Sequence, residues 1–124
     1  MTSVLNVDTI ADKAGTGPVG LTKQEAAKMR CRWDTDSSTS ITGSFNVSSL
    51  TDAATGRTSI NLTNSFDAVT YTVLLGNDDG EQVAFHRTGD GNTASKIGAA
   101  NYAQDSNAYA DSDIMSAASH GDLA

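Results

Sequence analysis

Cysteine, proline and aromatic side chains are scarce in this 124-residue chain, which has one Cys, one Pro, three Phe, three Tyr and one Trp. The lone Cys31 cannot form an internal disulfide, so stability must come from packing, ordered loops or assembly, and only a symmetric partner could bring a second thiol. Cations are also few, with eight Lys and Arg against fifteen Asp and Glu and a formal charge of −7. Nucleic-acid binding needs clustered cations to neutralise phosphate, and this balance argues against DNA or RNA as a partner. Basic residues concentrate only at Lys28, Arg30 and Arg32. No apolar run is long enough to span a bilayer as a helix, and Met1 to Ile10 lacks the basic and apolar regions of a secretory signal. The expectation is a soluble protein without a standard secretion route.

The residues that are plentiful are Ser, Thr, Asn, Asp, Gly and Ala, and only 38% of positions are hydrophobic. A chain of this size has room for one core, and a thin core in a single subunit favours further burial between subunits.

Along the chain, Ser3 to Ile10 (SVLNVDTI) carries Val4, Leu5, Val7 and Ile10 in an extended apolar strip, an arm or strand. Asp12 to Gly20 (DKAGTGPVG) reads as a linker, because three glycines and the proline interrupt regular structure. Thr22 and Glu25 form a capping box ahead of strong helix formers, which predicts a helix from about Lys23 to Arg32. Its apolar stripe would be Ala26, Met29 and Trp33. Such a short helix is marginal in water and needs a surface to pack on.

After Asp34 the texture changes to short runs rich in Val, Ile, Thr, Phe and Tyr: SITGSFNVSSL, RTSINLTN, TYTVLL and EQVAFHR. Thr58, Ile60 and Leu62 alternate with Arg57, Ser59 and Asn61, and Val83 and Phe85 alternate with Gln82, Ala84 and His86. This is the period of an antiparallel sheet with one wet face, and it puts His86 toward solvent or an interface. GNDDG between Leu75 and Glu81 predicts a hairpin. Thr88 to Asn107 is polar and glycine-rich, with Ile97 and Tyr102 as anchors, and reads as a long surface loop with room for one short strand; Asp113 to Ala118 reads as a last strand.

Several patterns suggest chemistry and fail on context. Gly15, Gly17 and Gly20 fit a dinucleotide-binding spacing, yet strands rather than alternating strands and helices follow, and Pro18 sits in the turn. Asp78 with Asp79, and Asp90 with Asn92, resemble fragments of calcium loops without the full ligand spacing, and turn chemistry accounts for them. His86 and His120 are distant from each other and have no Cys or second His nearby, so no metal, cofactor or catalytic set is expected.

The strings SVLNVDTIADKAGTGPVGLTKQEAAK and SFNVSSLTDAATGRTSINLTNSFDAVTYTVLLG, spanning roughly Ser3 to Gly76, resemble a module of tail-fibre and virion proteins from marine and cyanobacterial tailed phages. The ending SHGDLA is similar to endings in that group. The resemblance implies an arm, a linker and a short helix followed by a β domain. It also implies a structural role in the virion and carries over no active-site residue. This chain departs from the group in having MRCRWDTDSSTS where an aromatic-rich stretch follows the helix.

The expected fold is mainly β, an antiparallel β-sandwich of jelly-roll-like kind spanning residues 34–124, preceded by an attachment arm, linker and short helix in residues 1–33. The expected function is that of a homotrimeric short tail fibre or fibre-tip subunit. Val4, Leu5, Val7 and Ile10 would dock on another virion protein, and Ala26, Met29 and Trp33 would pack around the threefold axis. Asn77, Asp78, Asp79, Asp90, Asn92 and Tyr102 would sit on loops facing a host glycan or protein. The rivals are a capsid decoration protein and a glycan hydrolase, the latter requiring paired carboxylates in a groove.

Overall fold

The computed structural model describes residues 26–124. The apolar arm with Val4, Leu5, Val7 and Ile10, the glycine linker and the capping box lie outside the described residues. Nine strands follow: β1 (Met29–Asp34), β2 (Ser40–Phe45), β3 (Val47–Ala54), β4 (Arg57–Leu62), β5 (Thr72–Asn77), β6 (Gln82–His86), β7 (Lys96–Ala103), β8 (Ala108–Tyr109) and β9 (Met115–His120), with a 3-10 turn at Thr88–Asp90. Every strand pairing is antiparallel. One sheet has the order β2-β1-β9-β5 and the other the order β3-β4-β7-β6, with β8 beside β7.

The helix expected to reach Arg32 is corrected by β1. Ala26 and Ala27 have no regular structure, and MRCRWD is a strand in which Met29, Cys31 and Trp33 are buried while Arg30 and Arg32 are exposed. Alternation with period two wins over the three-to-four spacing of Ala26, Met29 and Trp33 because β1 has β2 on one side and β9 on the other, both hydrogen-bonded to it. The β domain therefore begins with β1, a central strand, and not at residue 34.

The inner faces of the two sheets meet in one cluster. Met29, Cys31 and Trp33 from β1 and Met115 and Ala117 from β9 pack with Ile60 and Leu62 from β4 and Ile97 and Ala99 from β7. This is an arrangement compatible with a β-sandwich. The Trp33 indole Nε1 is buried with no hydrogen-bond partner, which costs about 1–3 kcal/mol. Burial of the whole indole outweighs it, at about 4–6 kcal/mol. Residues 63–71 close one end, where Phe66 stacks on Tyr71 with ring centroids 4.6 Å apart.

Four connections pass from sheet to sheet, after β2, β4, β5 and β8. Asn46 breaks the run SITGSFNVSSL by taking φ 57°, and its side chain holds the corner: Nδ2 donates to the Lys28 and Asn64 carbonyls at 3.0 Å, and Oδ1 accepts from Asn64 N at 2.7 Å. The loop after Asn77 is another of these crossings. β5 pairs with β9 and β6 pairs with β7, so GNDDG links two strands in different sheets and is not the paired hairpin expected of it.

The span Thr88–Asn107 is mostly not loop. Its centre is β7, flanked by β4 on one side and β6 on the other and buried from Ile97 to Asn101. The residues Gly98, Ala99 and Ala100 prefer strands weakly, and burial on both faces decides the conformation instead. Gly98 is required, because a Cβ there would collide with the Arg87 carbonyl oxygen. Gly56 closes the β3–β4 hairpin at φ 63°, and a Cβ would lie 2.6 Å from Ala110 N.

Candidate functional site

The second sheet is covered on its outer side by its own chain. In β6 the outward residues are Val83 and Phe85, paired with Tyr102 and Ala100 of β7, while Gln82, Ala84 and His86 face inward. The phase is the reverse of the expected one. His86 lies against Tyr71, with ring centroids 6.3 Å apart, and its Nε2 is 3.1 Å from Asn92 Oδ1. Outside, Tyr109 meets Tyr102 edge-on at 5.6 Å and Phe85 at 6.3 Å, and the guanidinium carbons of Arg57 and Arg87 each lie 5.8 Å from the Tyr109 ring centroid.

Asp90 ties this covering down. Its carboxylate forms ion pairs with Arg57 and with Arg87, the latter at 3.0 Å, and its carbonyl accepts from Ser59 Oγ at 2.6 Å. The hydrogen bond from Arg57 holds the Asp90 carboxyl below the usual carboxylate range, against the opposing effect of burial. Asp90 in turn raises the Arg57 pKa, chiefly by that hydrogen bond, while the Arg87 guanidinium is raised first by its hydrogen bond to the Tyr109 hydroxyl.

Among the described residues, none covers the outer side of the first sheet. Register places Phe45, Arg30, Ala118 and Leu74 in one row across all four strands, and Gly43, Arg32, Ser116 and Gly76 in the next. Phe45 is 59% and Leu74 60% exposed. The small residues between the arginines and Leu74 leave a groove of about 430 Å³ lined by Arg30, Arg32, Leu74, Gly76, Ser116 and Ala118. The ion pairs among the described residues all involve Asp90, so neither Arg30 nor Arg32 is matched by a carboxylate there. Cys31, in the same strand, points inward, and burial pushes its thiol up to about 11; it is placed to pack and not to meet a partner's thiol.

At the end of the sheets reached after β1 and β5 and before β9, Asp36, Asp78, Asp79, Asp111 and Asp113 rim a second concavity of about 450 Å³. Asp78 accepts from Ser112 Oγ at 3.2 Å, Asp79 from Glu81 N at 2.9 Å and Gln82 Nε2 at 2.7 Å, and Asp111 from Gly56 N at 2.6 Å. Among the described residues no group of three or more His, Cys, Asp or Glu is arranged to hold a metal ion.

The residues expected on one receptor-facing surface are dispersed. Asp78 and Asp79 belong to the acidic end, and Asn77 Nδ2 donates to Asn101 Oδ1 at 2.6 Å behind it. Asp90 lies folded over the second sheet, and Asn92 hydrogen-bonds the Tyr71 hydroxyl. Tyr102 is on that sheet's outer face, its hydroxyl donating to Asn107 Oδ1 at 2.7 Å. Met29 and Trp33, expected at a threefold axis, fill the protomer's own core, and Ala26 is exposed. The groove went unread in the sequence. Its signal was the basic concentration at Arg30 and Arg32, but the strand register alone brings Phe45, Leu74 and Ala118 beside it. Comparison with family models, with curated proteins and with solved structures finds no match to this chain.

Proposed function

We propose that the chain is a structural subunit of a tailed-phage virion, a homotrimeric short tail fibre or fibre-tip protein that contributes to host attachment. The observation that carries the reading is the exposure of large apolar side chains on both outer faces of a small two-sheet domain. Phe45 and Leu74 stand out on one face and Val83 and Tyr109 on the other, the last two 44% and 36% exposed. Apolar surface of this kind, rimmed by polar residues, marks association with other protein surfaces. The strings VDTIADKAG and SFNVSSLTD add the resemblance to virion modules.

In this reading residues 1–25 attach the subunit to another virion component through Val4, Leu5, Val7 and Ile10. The β-sandwich, taken as jelly-roll-like because β1 and β9 pair at the centre of one sheet, is displayed outward. Trimer contacts come from exposed side chains, since Met29 and Trp33 are consumed inside the protomer. Mass spectrometry of purified particles, with electron microscopy of particles bearing a labelled copy, tests this. The expected result is a copy number divisible by three and a label on the tail. A label on the head would make the chain a decoration protein, and absence from particles would overturn the virion role.

A further inference from the structure

Two clusters of unmatched charge of opposite sign lie on different parts of this one chain. The first is the groove on the outer face of the first sheet. Arg30 and Arg32 project from neighbouring outward positions of β1, about 7 Å apart at strand spacing, with no carboxylate paired to either among the described residues. Gly43, Gly76, Ser116 and Ala118 surround them with short side chains, so the guanidinium groups stay accessible from above. The second cluster is the acidic end, five aspartates of which none is ion-paired among the described residues. Asp36 and Asp113 make no side-chain hydrogen bond there either, unlike Asp78, Asp79 and Asp111.

We infer that the groove receives the acidic end of a second copy of this chain. Charge complementarity selects this occupant. A face-to-face pairing through a twofold axis would oppose Arg30 and Arg32 to their own equivalents, which like-charge repulsion disfavours. A head-to-side contact instead opposes guanidinium groups to carboxylates on a chain whose formal charge is −7. Phe45 and Leu74, at the two ends of the arginine row, shield the ion pairs from water, the role that apolar neighbours serve around charged anchors at interfaces. Such a contact uses two different patches, so successive copies form a closed ring when the rotation closes. The inference rests on the trimeric reading and gives it a specific contact.

The test reverses charge on each side in the full-length chain. One double variant is Arg30→Glu with Arg32→Glu, and the other is Asp36→Lys with Asp113→Lys. Sedimentation velocity over a concentration series gives the assembly constant, and thermal unfolding of each variant shows whether the fold is kept. Each variant alone should assemble ~10- to 100-fold more weakly than the wild type, and a single chain carrying all four reversals, in which every contact of the ring again joins opposite charges, should recover assembly. Where a reversal variant unfolds, Arg30→Gln with Arg32→Gln removes the charge more gently and should weaken assembly in the same direction. Trimers unaffected by either reversal, or weakened by both with no recovery in the chain that carries all four, would overturn the inference and leave the trimeric reading standing. A monomeric wild type would overturn both. Intact assembly with lost binding to an acidic polysaccharide would reassign the groove to an anionic ligand.

Discussion

The two sheets differ less in what they bury than in what covers their backs. Over the second, the 3-10 turn, Asp90, Arg87 and Tyr109 fold across the outer face, and Gly98 lets the Arg87 carbonyl touch the strand. Over the first, nothing in the described residues lies across the row from Phe45 to Leu74. Intramolecular covering consumes the arginines of the one sheet in ion pairs, whereas among the described residues the arginines of the other have no carboxylate partner. Two basic, partly apolar faces thus differ, among the described residues, in whether their arginines are already paired within the chain.

The largest effect expected is at the core the two sheets share. Trp33→Ala should cost about 3–5 kcal/mol in denaturant unfolding, since the indole is fully buried and its removal leaves a cavity. A cost below 1 kcal/mol would mean that the sheets do not depend on this packing.

A pair of glycines separates the covered from the bare face more directly. Gly98→Ala drives a methyl group into the Arg87 carbonyl and should cost about 1–3 kcal/mol, with faster tryptic cleavage after Arg87 as the covering lifts. Gly43→Ala on the bare face places its methyl 3.6 Å from Arg30 Nη1, an ordinary contact, and should change stability by less than about 0.5 kcal/mol. Equal costs would abolish the contrast.

The ion pairs of the covering give it a pH signature. Because the Asp90 carboxyl is held below its ordinary range, the folded chain binds that proton less readily than the unfolded chain does. Its stabilising contribution is therefore full above the unfolded pKa of about 3.9 and is lost as pH falls through the lower folded value. Thermal unfolding from pH 7 to pH 2 should show Asp90→Asn less stable than wild type at pH 7, the gap narrowing below about pH 4. A gap independent of pH would point to geometry instead of charge.

The smallest effect is on the bare face. Phe45→Ser and Leu74→Ser should each leave unfolding of the isolated subunit within about 0.5 kcal/mol of wild type while weakening its assembly. A large loss of subunit stability would show that these side chains already pack within the protomer.

Much of the β framework was legible in the residues. RTSINL, TVLL, QVAFH and the run ending the chain are strands where β-branched and apolar residues said they would be. β7 was hidden because Gly98, Ala99, Ala100 and Asn101 carry little strand preference, and their burial comes from neighbours far away in sequence. The phase of β6 was misread for a related reason. Alternation sets Phe85 on the face opposite His86 without saying which face is inside, and Tyr109 supplies an outer aromatic surface for it.

For the candidate site the boundary is sharper. Arg30 and Arg32 stood out as a local excess of charge, but nothing local says that a four-strand row sets Phe45 and Leu74 at their flanks.

The order of residues alone determined that the chain would be β-rich, acidic and short of greasy side chains, because strand preference, charge and hydropathy are properties of neighbours along the backbone. Only the tertiary structure decided that MRCRWD would be a central strand, that the arginines of one sheet would be bound by Asp90 and that those of the other would meet no carboxylate among the described residues. Those outcomes depend on which strands lie side by side, and long-range hydrogen-bonded register, not local preference, selects them.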